Sequence, residues 1–164
     1  MNTKYRSLYF MIGFALLSLA AGLLGTLVTV TGSDSWFALE LIKPAWQPPN
    51  YLFAPVWTIL YILMGVAAGY VVSQGWSKKE VKIATGIFLI QLVLNVLWSY
   101  LFFGWHMLMA ATIDIVALFV MICFMMYLFY HIKHVAAYLL IPYVLWVAFA
   151  AVLCATIWIM NPVM

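Results

Sequence analysis

Residues Met107–Tyr130 read MLMAATIDIVALFVMICFMMYLFY, and this stretch decides the fold. Its 24 residues carry one charge, Asp114, while crossing the hydrocarbon of a bilayer as an α-helix takes about 20 apolar residues. Only helices and closed barrels satisfy every backbone group in lipid. The run lacks the apolar–polar alternation of a barrel strand, so it reads as a helix. Reading outward from each polar break to the next gives four more candidates, at roughly Leu8–Val30, Tyr51–Val72, Ile83–Phe103 and Val135–Met160. The expectation is one all-α integral membrane domain over residues 1–164, a bundle of five transmembrane helices.

Composition agrees. Hydrophobic residues make up 69% and charged residues 7%, against roughly 25% charged in ordinary soluble domains. A soluble globular domain, a disordered chain and a disulfide scaffold are all excluded. Seven basic residues spread along the chain make no stripe for phosphates, so no nucleic-acid partner is expected. Lys4 and Arg6 precede an apolar run as in a signal peptide, yet that run continues past the 7–15 residues of a signal core, so the first span is read as retained. Lys4, Arg6, Lys78, Lys79, Lys82 and Lys133 fall on one side of the bundle and Lys43 alone on the other. This bias predicts a cytoplasmic N-terminus, with the first loop and the C-terminus outside; the membrane expected is a bacterial cytoplasmic one. Tyr5, Tyr9, Trp76, Trp105 and Trp158 sit where interfacial belts form.

The first loop is long, about twenty residues from Thr31 to Asn50. Ser35 precedes Trp36-Phe-Ala-Leu-Glu-Leu-Ile42 as a cap precedes a short helix, and Pro44 would end it. Pro48-Pro49 stiffens the approach to the second span, where Pro55 is tolerated in the first turns. A long, aromatic, proline-stiffened loop in an otherwise tightly connected bundle reads as a lid.

Asp114 is the one acid inside a span, and no Lys or Arg lies inside any span to pair with it. Such a residue costs about 2.5–3.5 kcal/mol on insertion scales. It either makes an interhelical hydrogen bond or lines a wet cavity. Asn95 is open to the same two readings, and Gln91, one turn away, reads as structural. At about 1.5 Å per residue, Trp57, Asn95, Asp114 and Trp146 fall in one layer toward the lid side, within roughly 9–21 Å of their span ends. Indole walls and a few polar groups under a lid suit a flat aromatic or sterol-like guest. Pro142 predicts a bend in the fifth span just before Trp146. Gly65-Val-Ala-Ala-Gly69 and the stripe Ser18, Gly22, Thr26 permit close helix approach, either within the bundle or in a homodimer. His106, His131 and His134 lie at span ends, too divided for a haem or metal site, and no metal is expected. Cys123 and Cys154 lie at depths too different to form a disulfide.

The run Lys43-Pro-Ala-Trp46-Gln-Pro48-Pro49, followed by Phe53-Ala-Pro55-Val-Trp57-Thr-Ile-Leu-Tyr61-Ile-Leu-Met64-Gly65, resembles the TspO/MBR family. That family comprises the bacterial tryptophan-rich sensory proteins and the mitochondrial translocator protein, or peripheral benzodiazepine receptor. Asn95-Val-Leu-Trp98-Ser99-Tyr100, Ala111-Thr-Ile-Asp114 and Leu140-Ile-Pro142-Tyr143-Val-Leu-Trp146-Val-Ala148-Phe149-Ala150 match in order. The resemblance implies a bundle, often dimeric, whose pocket takes porphyrins, notably protoporphyrin IX, and synthetic isoquinolines and benzodiazepines, with no obligatory cofactor. It implies a pocket of Trp57, Asn95, Asp114, Trp146 and Ala150, with Trp36, Phe37, Trp46 and Pro48 coming from the lid. The cholesterol motif of animal members needs a basic residue after the last span; here no Lys or Arg follows Lys133, so sterol recognition of that kind is not expected.

Three functions follow. The first is porphyrin binding for sensing or transport. The second is light-dependent porphyrin breakdown, with Trp57 or Trp146 as a redox-active indole; no acid–base pair, nucleophile or metal site supports other enzyme chemistry. The third is a small proton-coupled transporter using Asp114.

Overall fold

The computed structural model describes residues 3–162. Five helical segments in it are long and apolar enough to span a membrane. The first is α1 (Thr3–Thr26), and the lid carries the one-turn helix α2 (Trp36–Leu39). A 3-10 turn at Asn50–Leu52 leads into α3 (Phe53–Ser73). Next come α4 (Lys79–Ser99), which runs on into a π-helical turn at Tyr100–Gly104, and α5 (Leu108–Ile132). The fifth crossing is made in two pieces, α6 (His134–Tyr138) and α7 (Ile141–Met160). Every predicted span is present. The first sits earlier than predicted, because the chain leaves the helix after Thr26 in turns closed by Val28 N–H to Gly25 O and Thr29 N–H to Thr26 O.

Each helix is apolar nearly all round, as a helix must be when its outer face meets acyl chains rather than water. Leu16, Val93, Ile113, Val120, Leu145 and Val152 point outward and are exposed, while Met64, Phe88, Ile115, Leu118, Ile122 and Tyr143 are fully buried. Packing inside lipid cannot draw on the hydrophobic effect, so it depends on close backbone approach. Gly65 and Gly69 provide it. A Cβ on Gly65 would fall onto the backbone of Phe14 and Ala15, and one on Gly69 onto that of Phe10 and Met11. The GxxxG motif is therefore consumed within the bundle, where it joins α3 to α1. One turn nearer the lid, a Cβ on Gly22 would meet the Tyr61 ring at 2.5 Å.

Pro142 interrupts the fifth span one turn before itself, where its ring cannot donate to the Tyr138 carbonyl. The fifth span breaks at Leu139–Leu140, and Pro142 stands in the first turn of α7. Its missing N–H falls where no intrahelical partner is required, which makes it a helix starter; Val144 N–H closes the turn onto Leu140 O at 3.0 Å.

The lid helix is also shorter than predicted, ending at Leu39 rather than near Pro44. Ser35 caps it as expected, its Oγ accepting from Ala38 N–H at 3.2 Å. Two competing partners stop it. The Lys43 ammonium donates to Phe37 O at 2.5 Å, and Asn161 at the end of α7 takes both backbone groups of Ile42.

Candidate functional site

Beneath the lid, α1, α3, α4 with its π turn, and α7 enclose a cavity of about 600 Å³, inside the range of roughly 300–1,000 Å³ typical of small-molecule sites. Helical spacing brings its wall together. From α3 come Ala54, Trp57, Thr58 and Tyr61; from α4 Asn95, Trp98 and Ser99; from α7 Ala150, Leu153, Cys154 and Ile157. In each set the residues recur at three- and four-residue steps, one face of a helix. Phe37 and Gln47 close the chamber from the lid, and Phe102 and Phe103 of the π turn wall it at the same end, packed against Phe37.

The wall is aromatic and uncharged. Trp57 lies tilted against Tyr61 with ring centroids 5.6 Å apart and meets Tyr143 edge-on at 6.3 Å. Trp98 stacks on Phe102 at 5.2 Å, and Phe37 packs on Phe103 at 5.5 Å. No Asp, Glu, Lys or Arg is among the lining residues. The Trp98 indole N–H and Gln47 Oε1 are buried without hydrogen-bond partners, and both residues line the chamber.

Asn95 is the polar centre of the bundle. The Tyr61 hydroxyl donates to its Oδ1, and its Nδ2 donates to the Tyr143 hydroxyl at 2.9 Å. The Tyr143 hydroxyl in turn donates to Gln91 Oε1 at 2.8 Å, and Gln91 Nε2 reaches Met64 Sδ at 3.7 Å. Three helices are tied by this chain, and a hydroxyl that both accepts and donates is the reason Tyr rather than Phe stands at 143. Gln91 is structural, as read from the sequence, while Asn95 serves both the network and the chamber wall.

Of the predicted site residues, Phe37, Trp57, Asn95 and Ala150 line the chamber, while Trp36, Trp46, Pro48, Asp114 and Trp146 stand outside its lining. Trp36 lies flat on His106, with ring centroids 3.9 Å apart and planes 8° from parallel. This anchors the lid to the π turn, where His106 takes a left-handed φ of 56°. Trp46 meets Phe149 edge-on at 5.9 Å. Trp146 packs on Phe53 and Phe149 and faces a shallow groove with Val56, Ile59, Leu60, Pro142 and Leu145. Asp114 is buried on α5, a helix that contributes nothing to the lining. Its Oδ2 has no partner; Cys154, on the chamber side, touches Thr112 of the same stretch of α5 at 3.4 Å. The single layer expected from depth is thus divided.

The sequence reading missed Tyr61, Trp98, Ser99 and Cys154 as wall residues. The signal was present, since each stands three or four positions from Trp57, Asn95 or Ala150 and so shares a face with it.

The sequence has known relatives. The sequence profile of the TspO/MBR family matches residues 14–159. The tryptophan-rich protein TspO of Chlorobaculum tepidum is 43% identical over 99% of this chain and 100% of its own length. That of Archaeoglobus fulgidus is 39% identical over 87% of this chain and 91% of its own. The translocator protein of Bos taurus is 35% identical over 93% of this chain and 90% of its own. With five apolar crossings, a capped first loop and end-to-end likeness to bacterial, archaeal and animal relatives, this multi-pass integral membrane chain belongs to the TspO/MBR family.

Proposed function

We propose that the protein binds protoporphyrin IX or a related tetrapyrrole in the chamber under the lid, as the binding step of sensing, transport or light-dependent breakdown. The observation that carries this reading is the chamber itself: aromatic rings on several sides, uncharged polar groups between them, and a lid across the top. A flat macrocycle matches such a wall by stacking and edge contacts. Because the lining holds no cation, the two carboxylates of protoporphyrin IX belong at the polar lid-side rim, by Thr31, Gln47 and Asn50, where water can reach them. Six of seven basic residues lie on the opposite side in sequence. That bias supports an orientation with the lid outside and the N-terminus in the cytoplasm of a bacterial cell.

Titrating the protein with protoporphyrin IX should quench its tryptophan fluorescence saturably. Trp57→Leu should weaken the affinity about tenfold, equivalent to ~1.4 kcal/mol. Equal quenching by a dye of similar absorbance that does not bind would refute the proposal. If light-dependent breakdown is the outcome, Trp57 and Trp98 are the indoles that line the guest's chamber.

Proton-coupled transport through Asp114 is the second reading, favoured by the buried Oδ2 that lacks a partner. It ranks second because no acid stands among the residues lining the chamber. Flux into proteoliposomes that is unchanged in Asp114→Asn would dismiss it.

A further inference from the structure

The lid is held at many points, whereas the side of the chamber is open. Ile42 exchanges hydrogen bonds with Asn161 at 3.0 and 2.9 Å, and Asn161 is itself pinned to Ile157 O at 2.8 Å. Lys43 holds Phe37 O and sits 4.6 Å above the Phe37 ring. Trp36 is stacked on His106. Several polar and aromatic contacts must break together before this lid lifts.

Between α1 and α3 the geometry differs. The two helices are locked together where Gly65 and Gly69 meet the α1 backbone, and they touch again at Gly22 and Tyr61. Beyond that point, toward the lid, they part. Leu23 and Thr26 on α1, and Ala54 and Thr58 on α3, all line the chamber, and all four are exposed, Leu23 to 67%. A residue that both walls a cavity and lies open on the surface stands at its mouth. The top of the cleft is bridged by Asn50 Nδ2 donating to Thr31 O at 3.4 Å. What remains is a window about 16 Å tall, from the level of Asn50 to that of Tyr61 at 1.5 Å per residue.

Its rim is made for hydrocarbon. The Thr26 hydroxyl donates to Leu23 O at 2.7 Å and the Thr58 hydroxyl to Ala54 O at 2.8 Å, so both threonines turn satisfied oxygens to their own helices and can present methyl groups outward. The window occupies the lid-side ends of two membrane-spanning helices, and its height matches about half of a hydrocarbon layer ~30 Å thick.

We propose that the ligand enters and leaves the chamber through this window between α1 and α3, directly from the acyl chains of the lid-side leaflet, while the lid stays shut. The proposal rests on the binding reading above and identifies the guest's source as the membrane rather than water. A tall, narrow slot admits a flat molecule edge-on.

Stopped-flow tryptophan quenching by protoporphyrin IX, with the full chain in lipid nanodiscs, tests it. Ala54→Phe and Thr58→Phe, which narrow the window from exposed positions, should each slow both association and dissociation about tenfold, equivalent to ~1.4 kcal/mol on the barrier. Asn161→Ala, which releases the lid, should leave both rates as in the wild type. Wild-type rates in both window variants would overturn the proposal, most plainly if Asn161→Ala accelerates binding. Absence of saturable quenching in the wild type would remove the binding reading and the window with it; saturable quenching with unaltered rates would remove the window alone.

Discussion

Replacing Gly65 by Ala adds one methyl group where the bundle has no room for it. The new Cβ would stand 2.5 Å from Phe14 O and 2.6 Å from Ala15 N, against 3.4 Å or more for ordinary contact. These are backbone atoms of α1, not the yielding end of a side chain, so the two helices must separate by something on the order of 1 Å. Over-packing of this kind costs ~1–3 kcal/mol, and the better helix propensity of Ala returns ~0.5–1 kcal/mol. The net loss is on the order of 1–2 kcal/mol, a fall in Tm of roughly 5 °C for a chain of this size. Gly86→Ala is the matched control, because nothing lies within 4 Å of its added Cβ, and there only the propensity gain applies. Thermal unfolding of the two variants and the wild type in one detergent should rank Gly86→Ala highest and Gly65→Ala lowest. A Gly65→Ala protein that melts with or above the wild type would refute the claim that α1 and α3 meet through this glycine.

Three further outcomes are expected. Tyr143→Phe removes the hydroxyl shared by Asn95 and Gln91 and leaves their buried amide groups short of partners, which should cost ~1–3 kcal/mol in the same melts; Tyr138→Phe, at an exposed position, should cost nothing measurable. Asn161→Ala deletes the clamp on Ile42, so amide hydrogen exchange should rise across residues 36–43 and stay unchanged in α3 and α5. Asp114→Asn should leave the saturable quenching by protoporphyrin IX unaltered, because Asp114 lies outside the chamber lining; a marked loss of affinity would return that residue to the site.

The spans were legible because length and apolarity are one-dimensional properties. Met107–Tyr130 needs no neighbour to be read as a crossing, and the structure begins and ends that helix within two residues of the reading. The lid was legible in outline, through Ser35 and the prolines, but its true end depends on Lys43 and on Asn161, 119 residues from Ile42. No local pattern contains a partner so distant. The chamber was half legible. Depth fixes height along a helix and says nothing about direction around it. Depth places Trp57 and Trp146 in one broad layer, yet Trp146 is drawn into the seam with Phe53 and Phe149. Asp114 is on α5, a helix absent from the chamber wall. The destination of the GxxxG motif was beyond reach for a related reason, since small residues permit close approach without naming what approaches. Pro142 was legible as an interruption of the fifth span, but the break falls at Leu139–Leu140, one turn before the proline, rather than just before Trp146.

Determining the structure with protoporphyrin IX bound tests the central claim most directly. The account predicts a macrocycle lying between Trp57 of α3 and the Trp98–Phe102 side of the chamber, under Phe37, with its carboxylates at the Gln47–Asn50 rim. Density on the Trp146 groove, or on the outer faces of the helices with the chamber empty, would contradict it.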